Sequence, residues 1–144
     1  MILEFMRDDH RACDRHYAEV ETALLAKDAE QGAASFEAFA QATLLHFDRE
    51  EQELFITFEN RTGMTGGPTQ VMRYEHQQLR GLIDSMRSAL HENRLEDFFG
   101  IGESMMIMLQ QHNMKEEQML YPMIDRALGG DAGPMVQVLR EMGQ

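Results

Sequence analysis

The feature that most constrains this chain is a repeat. His46-Phe-Asp-Arg-Glu50-Glu51-Gln-Glu-Leu54-Phe55 returns 66 positions later (46 to 112) as His112-Asn-Met-Lys-Glu116-Glu117-Gln-Met-Leu120-Tyr121. Each copy sets a His and a Glu four apart, which on an α-helix puts both on one face about a turn from each other. Two side chains so placed can hold one metal ion. The duplication reaches further back. Leu3, Met6, His10, Cys13, Tyr17, Val20 and Leu24 recur at steps of three and four. The same shift of 66 gives Met72, His76, Leu79, Ile83, Met86 and Leu90, with the His in register.

These stripes predict four long helices. The first runs from Leu3 to about Lys27 without Gly or Pro, with His10 on its buried face. Asp28 followed by Gln31 reads as a capping box opening a second helix to about Asn60, striped by Phe36, Phe39, Thr43, His46, Glu50 and Leu54. The Gly-rich segment Arg61 to Pro68 is a loop, and Pro68 suits the first turn of a third helix ending near His91. A fourth helix starts near Leu95 and carries His112 and Glu116 inward. Pro122 is expected to kink or interrupt it, and Gly129-Gly130 to stop it. With no strand signal, the expectation is an all-α, up-down-up-down antiparallel four-helix bundle. Residues 1–144 form a single domain, with a core over 3–128 and a short tail helix over 134–142.

Height along the bundle brings the polar stripe residues together. His10 and His76 lie near the starts of their helices, and Glu50 and Glu116 about ten to twelve residues before the ends of theirs. In antiparallel packing all six groups, His10, His46, Glu50, His76, His112 and Glu116, fall at one level. A buried carboxylate without a partner costs several kcal/mol, and no inward Lys or Arg lies at that level to neutralise two of them. Cations are the simplest partner; the alternative is a set of polar residues that satisfy one another. Imidazole with carboxylate suits iron, manganese or zinc, and six donors suffice for two ions with bridging carboxylates. A structural zinc site is disfavoured by the absence of a cysteine set. Ferritin-like bundles use Glu-x-x-His, and no His here has a Glu three residues before it.

The totals exclude several partners. The 25 acidic against 13 basic residues, net −12, argue against nucleic acid or an anionic membrane surface. Cys13 is the only cysteine, so no internal disulfide forms. The first ten residues show no signal-peptide pattern, and no apolar run approaches the roughly 20 residues that span a bilayer. A cytoplasmic protein is expected, as a monomer or homodimer. No nucleophile–base pair, phosphate loop or redox-cofactor motif appears, so any redox activity belongs to the metals and no side chain is assigned a catalytic role.

At this point the chain resembles the hemerythrin-like, or HHE cation-binding, family. The residues that carry the resemblance are Asp9-His10, His46-x-x-x-Glu50-Glu51, Glu75-His76 and His112-x-x-x-Glu116-Glu117, over about Met6 to Leu128, with His46 and His112 each 36 positions after the preceding His (10 to 46, 76 to 112). What the resemblance implies is a non-haem centre of two iron ions joined by an oxo or hydroxo bridge, with manganese or zinc as substitutes and Glu50 and Glu116 as bridging carboxylates. It implies a small-molecule partner such as oxygen, peroxide or nitric oxide; the alternative is an iron- or oxygen-sensing or iron-handling module acting through a protein partner. The oxygen-carrying hemerythrins have a His-x-x-x-His pair on the third helix and His-x-x-x-x-Asp on the fourth. Here Arg80 stands four after His76, and Glu117 five after His112. One fewer His leaves more open coordination for reaction.

Other residues invite a role beside a plainer reading. His16 is rotated away from the stripe and reads as a boundary residue before an extra ligand; His91 reads as a favourable helix-end charge. Cys13, one turn from His10, is either a redox partner of the site or, more simply, a small buried filler. The methionines of helix four (Met105, Met106, Met108, Met114, Met119, Met123) read as adaptable core packing rather than copper ligands. Tyr17 and Tyr121 are candidates to line the cavity, and Tyr74 is peripheral. Asp9, Glu51, Glu75 and Glu117 adjoin the ligands and are candidates to orient imidazoles, but each taken singly is expected to face solvent.

Overall fold

The computed structural model describes residues 1–144. Helix α1 spans Ile2–Leu25 and α2 Ala29–Arg49. A single π turn, Glu50–Leu54, carries α2 without a break into α3, Phe55–Thr62. After the loop, α4 spans Pro68–His91 and α5 Leu95–Lys115; a second π turn, Glu116–Leu120, leads into α6, Tyr121–Leu128. One 3₁₀ turn, Gly129–Asp131, joins α7, Ala132–Glu141. Counting each π-linked pair as one helix gives the expected four-helix bundle, with the tail helix starting two residues earlier than its sequence boundary. No helix is long and apolar enough to cross a membrane.

Local chemistry sets the ends. The Asp28 carboxylate accepts from the Gln31 N–H at 3.0 Å, while the Gln31 side chain donates to Ser35 Oγ at 2.9 Å. Half of the expected capping box therefore forms, and Gln31 serves its own helix instead. Gly63, at φ 73°, closes α3 in the left-handed conformation that favours glycine, and Pro68 occupies the first turn of α4. The two remaining helix–helix turns are copies. Lys27 (φ 61°) and Asn93 (φ 57°) are both left-handed, and Asp28 and Arg94 donate back to Ala23 O and Ala89 O at 3.0 and 2.8 Å.

Pro122 does not end its helix. The interruption expected of it takes the form of the π turn that closes at Leu120, after which α6 continues to Leu128. The first repeat makes the same turn with Ile56 in the proline's place, so Pro122 fits a turn the fold makes anyway.

The core is split. One apolar cluster fills the turn end, including Tyr17, Phe36, Phe39, Ile83, Phe98 and Met105; another fills the opposite end, including Met6, Phe55, Phe58, Met72, Ile124 and Leu139. Helix α7 supplies Ala132, Val136 and Leu139 to the second cluster. The inward histidines and glutamates belong to neither. They form a polar layer in the middle.

Candidate metal centre

All six residues expected at the site are brought together. His10 is 3% exposed, His46 2%, and Glu50, His76, His112 and Glu116 are completely buried. Their donor atoms fall into two groups, each within 4.8 Å mutually: His10, His46 and Glu116 in one, and Glu50, His76, His112 and Glu116 in the other. Glu116 belongs to both. Its Oε1 lies 3.1 Å from His10 Nε2 and its Oε2 3.3 Å from His112 Nε2, so one carboxylate faces both positions. Glu50 Oε1 lies 3.0 Å from His76 Nε2 and 3.4 Å from His46 Nε2.

The tautomers follow from the outer partners. His10 Nδ1 donates to Glu117 Oε2 at 2.8 Å, and His46 Nδ1 to Asp9 Oδ2 at 2.8 Å. His76 Nδ1 donates to Glu51 Oε2 at 2.5 Å, and His112 Nδ1 to Glu75 Oε1 at 2.8 Å. An ionised carboxylate only accepts, so every Nδ1 carries a hydrogen and every Nε2 is turned inward, where it can offer its lone pair to an ion. Here the expectation of solvent-facing charges is corrected: the four carboxylate side chains are only 17–29% exposed. Each also meets a cation. Arg49 holds Asp9, Arg80 holds Glu51, Lys115 holds Glu75, and Arg7 lies 3.6 Å from Glu117. Glu117, five after His112, is thus turned to His10 and joins neither donor group.

The charges bear this out. Burial pushes the Glu51 carboxyl up, but the His76 hydrogen bond and Arg80 outweigh it and bring it to about 2. Burial likewise opposes ionisation of Asp9, and His46 with Arg49 wins, holding it below its usual range. At the centre, burial pushes Glu50 up and the Glu116 charge adds to it. Glu116 instead stays well below its usual range, because His112 and the hydrogen bonds around it outweigh burial.

Whether these residues fit an ion is decided by what they leave unpaired. Glu50 Oε1, His76 Nε2, His112 Nε2 and Glu116 Oε2 are buried without a hydrogen-bond partner, although they crowd one another at 3.0–3.3 Å. Two buried carboxylate oxygens and two ring nitrogens that converge in this way are costly unless protons or a cation are shared among them. They fit a cation of the first transition series, with mixed nitrogen and oxygen donors. The model of the hemerythrin HHE cation-binding domain matches residues 1–124. The chain belongs to that family. No curated protein and no solved structure matches it. The family implies cation binding, and in this hemerythrin-like chain the buried donors are in place for it.

The remaining candidates sort cleanly. His16 has a 38% exposed side chain, 3.9 Å from Glu19, and stays at the boundary; His91 is exposed at the end of α4. Cys13 is buried outside both donor groups, where burial raises its thiol pKa, and it takes the filler role. Met105 is core, but Met114 and Met119 are about half exposed, which corrects the packing expected of them. Tyr17 lies in the turn-end cluster, edge-on to Phe39, and does not line the site; Tyr74 is exposed. Tyr121 does line it, completely buried, with Oη donating to Glu50 Oε2 at 2.8 Å or Glu116 Oε1 at 3.0 Å.

The π turns explain why the sequence stripe does not find that tyrosine. On an α-helix, residues five apart diverge by about 140°. Here the Tyr121 N–H donates to Glu116 O, a link five residues long that stacks Tyr121 over Glu116 on the inner face. Phe55 stands over Glu50 in the same way.

Proposed function

We propose that this chain is a non-haem di-iron protein of hemerythrin type that binds or reacts with a small molecule such as oxygen, peroxide or nitric oxide. The observation that carries the reading is the pair of donor groups sharing Glu116, four of whose atoms are buried without partners. His10, His46, His76 and His112 would hold the ions through Nε2, and Glu116 with Glu50 would bridge them. A bound iron pair supplies redox change and open coordination for a small ligand.

The chain's own residues do the rest. The four carboxylates fix each imidazole by its far nitrogen, so the rings cannot turn away when the ligand arrives. Phe47 stacks on His76 with centroids 4.1 Å apart and closes one side of the layer with apolar surface. Because the donors are at most 3% exposed, only a molecule of a few atoms reaches them without unfolding a helix. The apolar clusters above and below keep bulk water out.

Metal analysis with an absorption spectrum tests the proposal on chain produced in iron-replete cells. Two irons per chain are expected, with Glu50→Ala and Glu116→Ala each losing metal and His91→Ala keeping it. Equal metal content in all three variants would sink the assignment.

A further inference from the structure

We propose that Tyr121 is a further protein donor to one of the two metal positions, bound through its phenolic oxygen. The inference rests on the metal reading above and deepens it, because it makes the two positions chemically unequal.

Position carries the argument. Tyr121 Oη lies 3.2 Å from His10 Nε2, 3.3 Å from His46 Nε2 and 3.0 Å from Glu116 Oε1. Donors about 2.1 Å from a shared ion stand about 3.0 Å apart when their bonds are at right angles and about 3.4 Å apart at the tetrahedral angle. All three separations fall in that span. Oη therefore occupies a vertex of the shell that His10, His46 and Glu116 begin. That group has three residues where the other has four, and Tyr121 makes the numbers equal.

A tyrosine that merely satisfied a carboxylate would be differently surrounded. Its one proton goes either to Glu50 Oε2 or to Glu116 Oε1, and every hydrogen-bonding neighbour of Oη is a donor of the site. The His10 and His46 Nδ1 atoms donate outward, so their Nε2 atoms face the same space as Oη and can turn lone pairs to an ion there. Three potential donor atoms converge as they would on a cation. The repeat sharpens the contrast. At the equivalent place Phe55 has no oxygen and lies over His76 instead, ring centroids 5.9 Å apart.

A phenolic oxygen is a hard donor suited to ferric iron, and tyrosine serves as an iron ligand in haem catalases. Coordination exchanges the phenol O–H bond for an oxygen–metal bond. The proton leaves with those that metal binding displaces, Glu50 Oε2 at 2.8 Å being its first acceptor.

The test loads the full chain and its Tyr121→Phe variant with ferric iron, and measures iron per chain, the visible spectrum and resonance Raman scattering. The expected result is an intense visible phenolate-to-iron band with enhanced tyrosinate ring modes in the parent chain. Tyr121→Phe should keep iron and lose both. Phenylalanine is what the first repeat carries at this place, so the variant preserves the packing; the Raman modes of the parent chain decide the matter without any variant. Iron bound without tyrosinate modes, or a variant that keeps the band, would overturn the role of Tyr121 and leave the metal reading intact. A parent chain that takes up no iron would overturn both.

Discussion

Asp9 never touches the centre of the layer, yet it fixes a residue that does. It accepts from His46 Nδ1 and is gripped by Arg49 Nη1 at 3.0 Å through both oxygens, while Arg49 Nε donates to Leu139 O of α7 at 2.9 Å. Asp9→Asn keeps the shape but offers a weaker, uncharged acceptor. The expected outcome is a folded chain with metal affinity lower by about 10–100-fold, read by competition with a chromophoric chelator. Glu75→Gln, its equivalent against His112, should behave alike. A second expectation concerns protons. Burial lowers the His112 pKa, but the Glu116 charge and its hydrogen bond outweigh it and raise the imidazole to about 9. A group raised on folding stabilises fully below its unfolded value, about 6.5, and that stability is lost as pH rises through its folded value. The metal-free chain should therefore lose urea resistance between about pH 7 and 9.5, and His112→Gln should flatten that fall. The loaded chain has the opposite slope at low pH, since an ion and a proton compete for the same Nε2.

The helices are legible in sequence because apolar residues at steps of three and four leave little other choice, and the repeat supplies every boundary twice. The six inward histidines and glutamates are legible for the same reason. The π turns are not, since a link from one residue to the fifth before it has no residue-type signature. The stripe therefore places Leu54 and Leu120 correctly but leaves out Tyr121, which only the wider turn brings inward. Asp9, Glu51, Glu75 and Glu117 are visible as duplicated carboxylates beside the inward residues, but which way each points depends on the neighbouring helix. The turns offer a test of how strictly the repeat governs an element. Lys27 and Asn93 share the left-handed conformation, and asparagine tolerates it where lysine does not. The conformation costs a side-chain-bearing residue about 1–2 kcal/mol, and glycine gives back about 0.5–1 in unfolded-chain entropy. Lys27→Gly should stabilise the fold by about 0.5–1 kcal/mol in denaturant titration, and Asn93→Gly by less. Equal or opposite effects would mean that the turn is held by its packing rather than by its backbone.

Taken as a whole, the molecule is two apolar clusters separated by a buried polar layer that all four long helices cross. Hydrophobic burial holds each end together, while the middle, without an ion, holds two close buried carboxylates and polar atoms left without hydrogen-bond partners. A bound cation removes that cost in the folded chain only, so its binding energy adds to folding stability. At free metal a hundred times the dissociation constant the gain is about 2.7 kcal/mol, and at a thousand times about 4.1. Iron-loaded chain should unfold at a clearly higher temperature than chain stripped with chelator. In hydrogen exchange the difference should centre on 46–54 and 112–120, and fade toward the Lys27 and Asn93 turns, which lie beyond the first apolar cluster. Identical melting with and without chelator would mean that the six polar residues satisfy one another, with the inward imidazoles protonated against Glu50 and Glu116. A plain helical bundle would then be the better description. The location of the effect discriminates further, because an ion bound at surface carboxylates would raise the melting temperature without protecting the central layer.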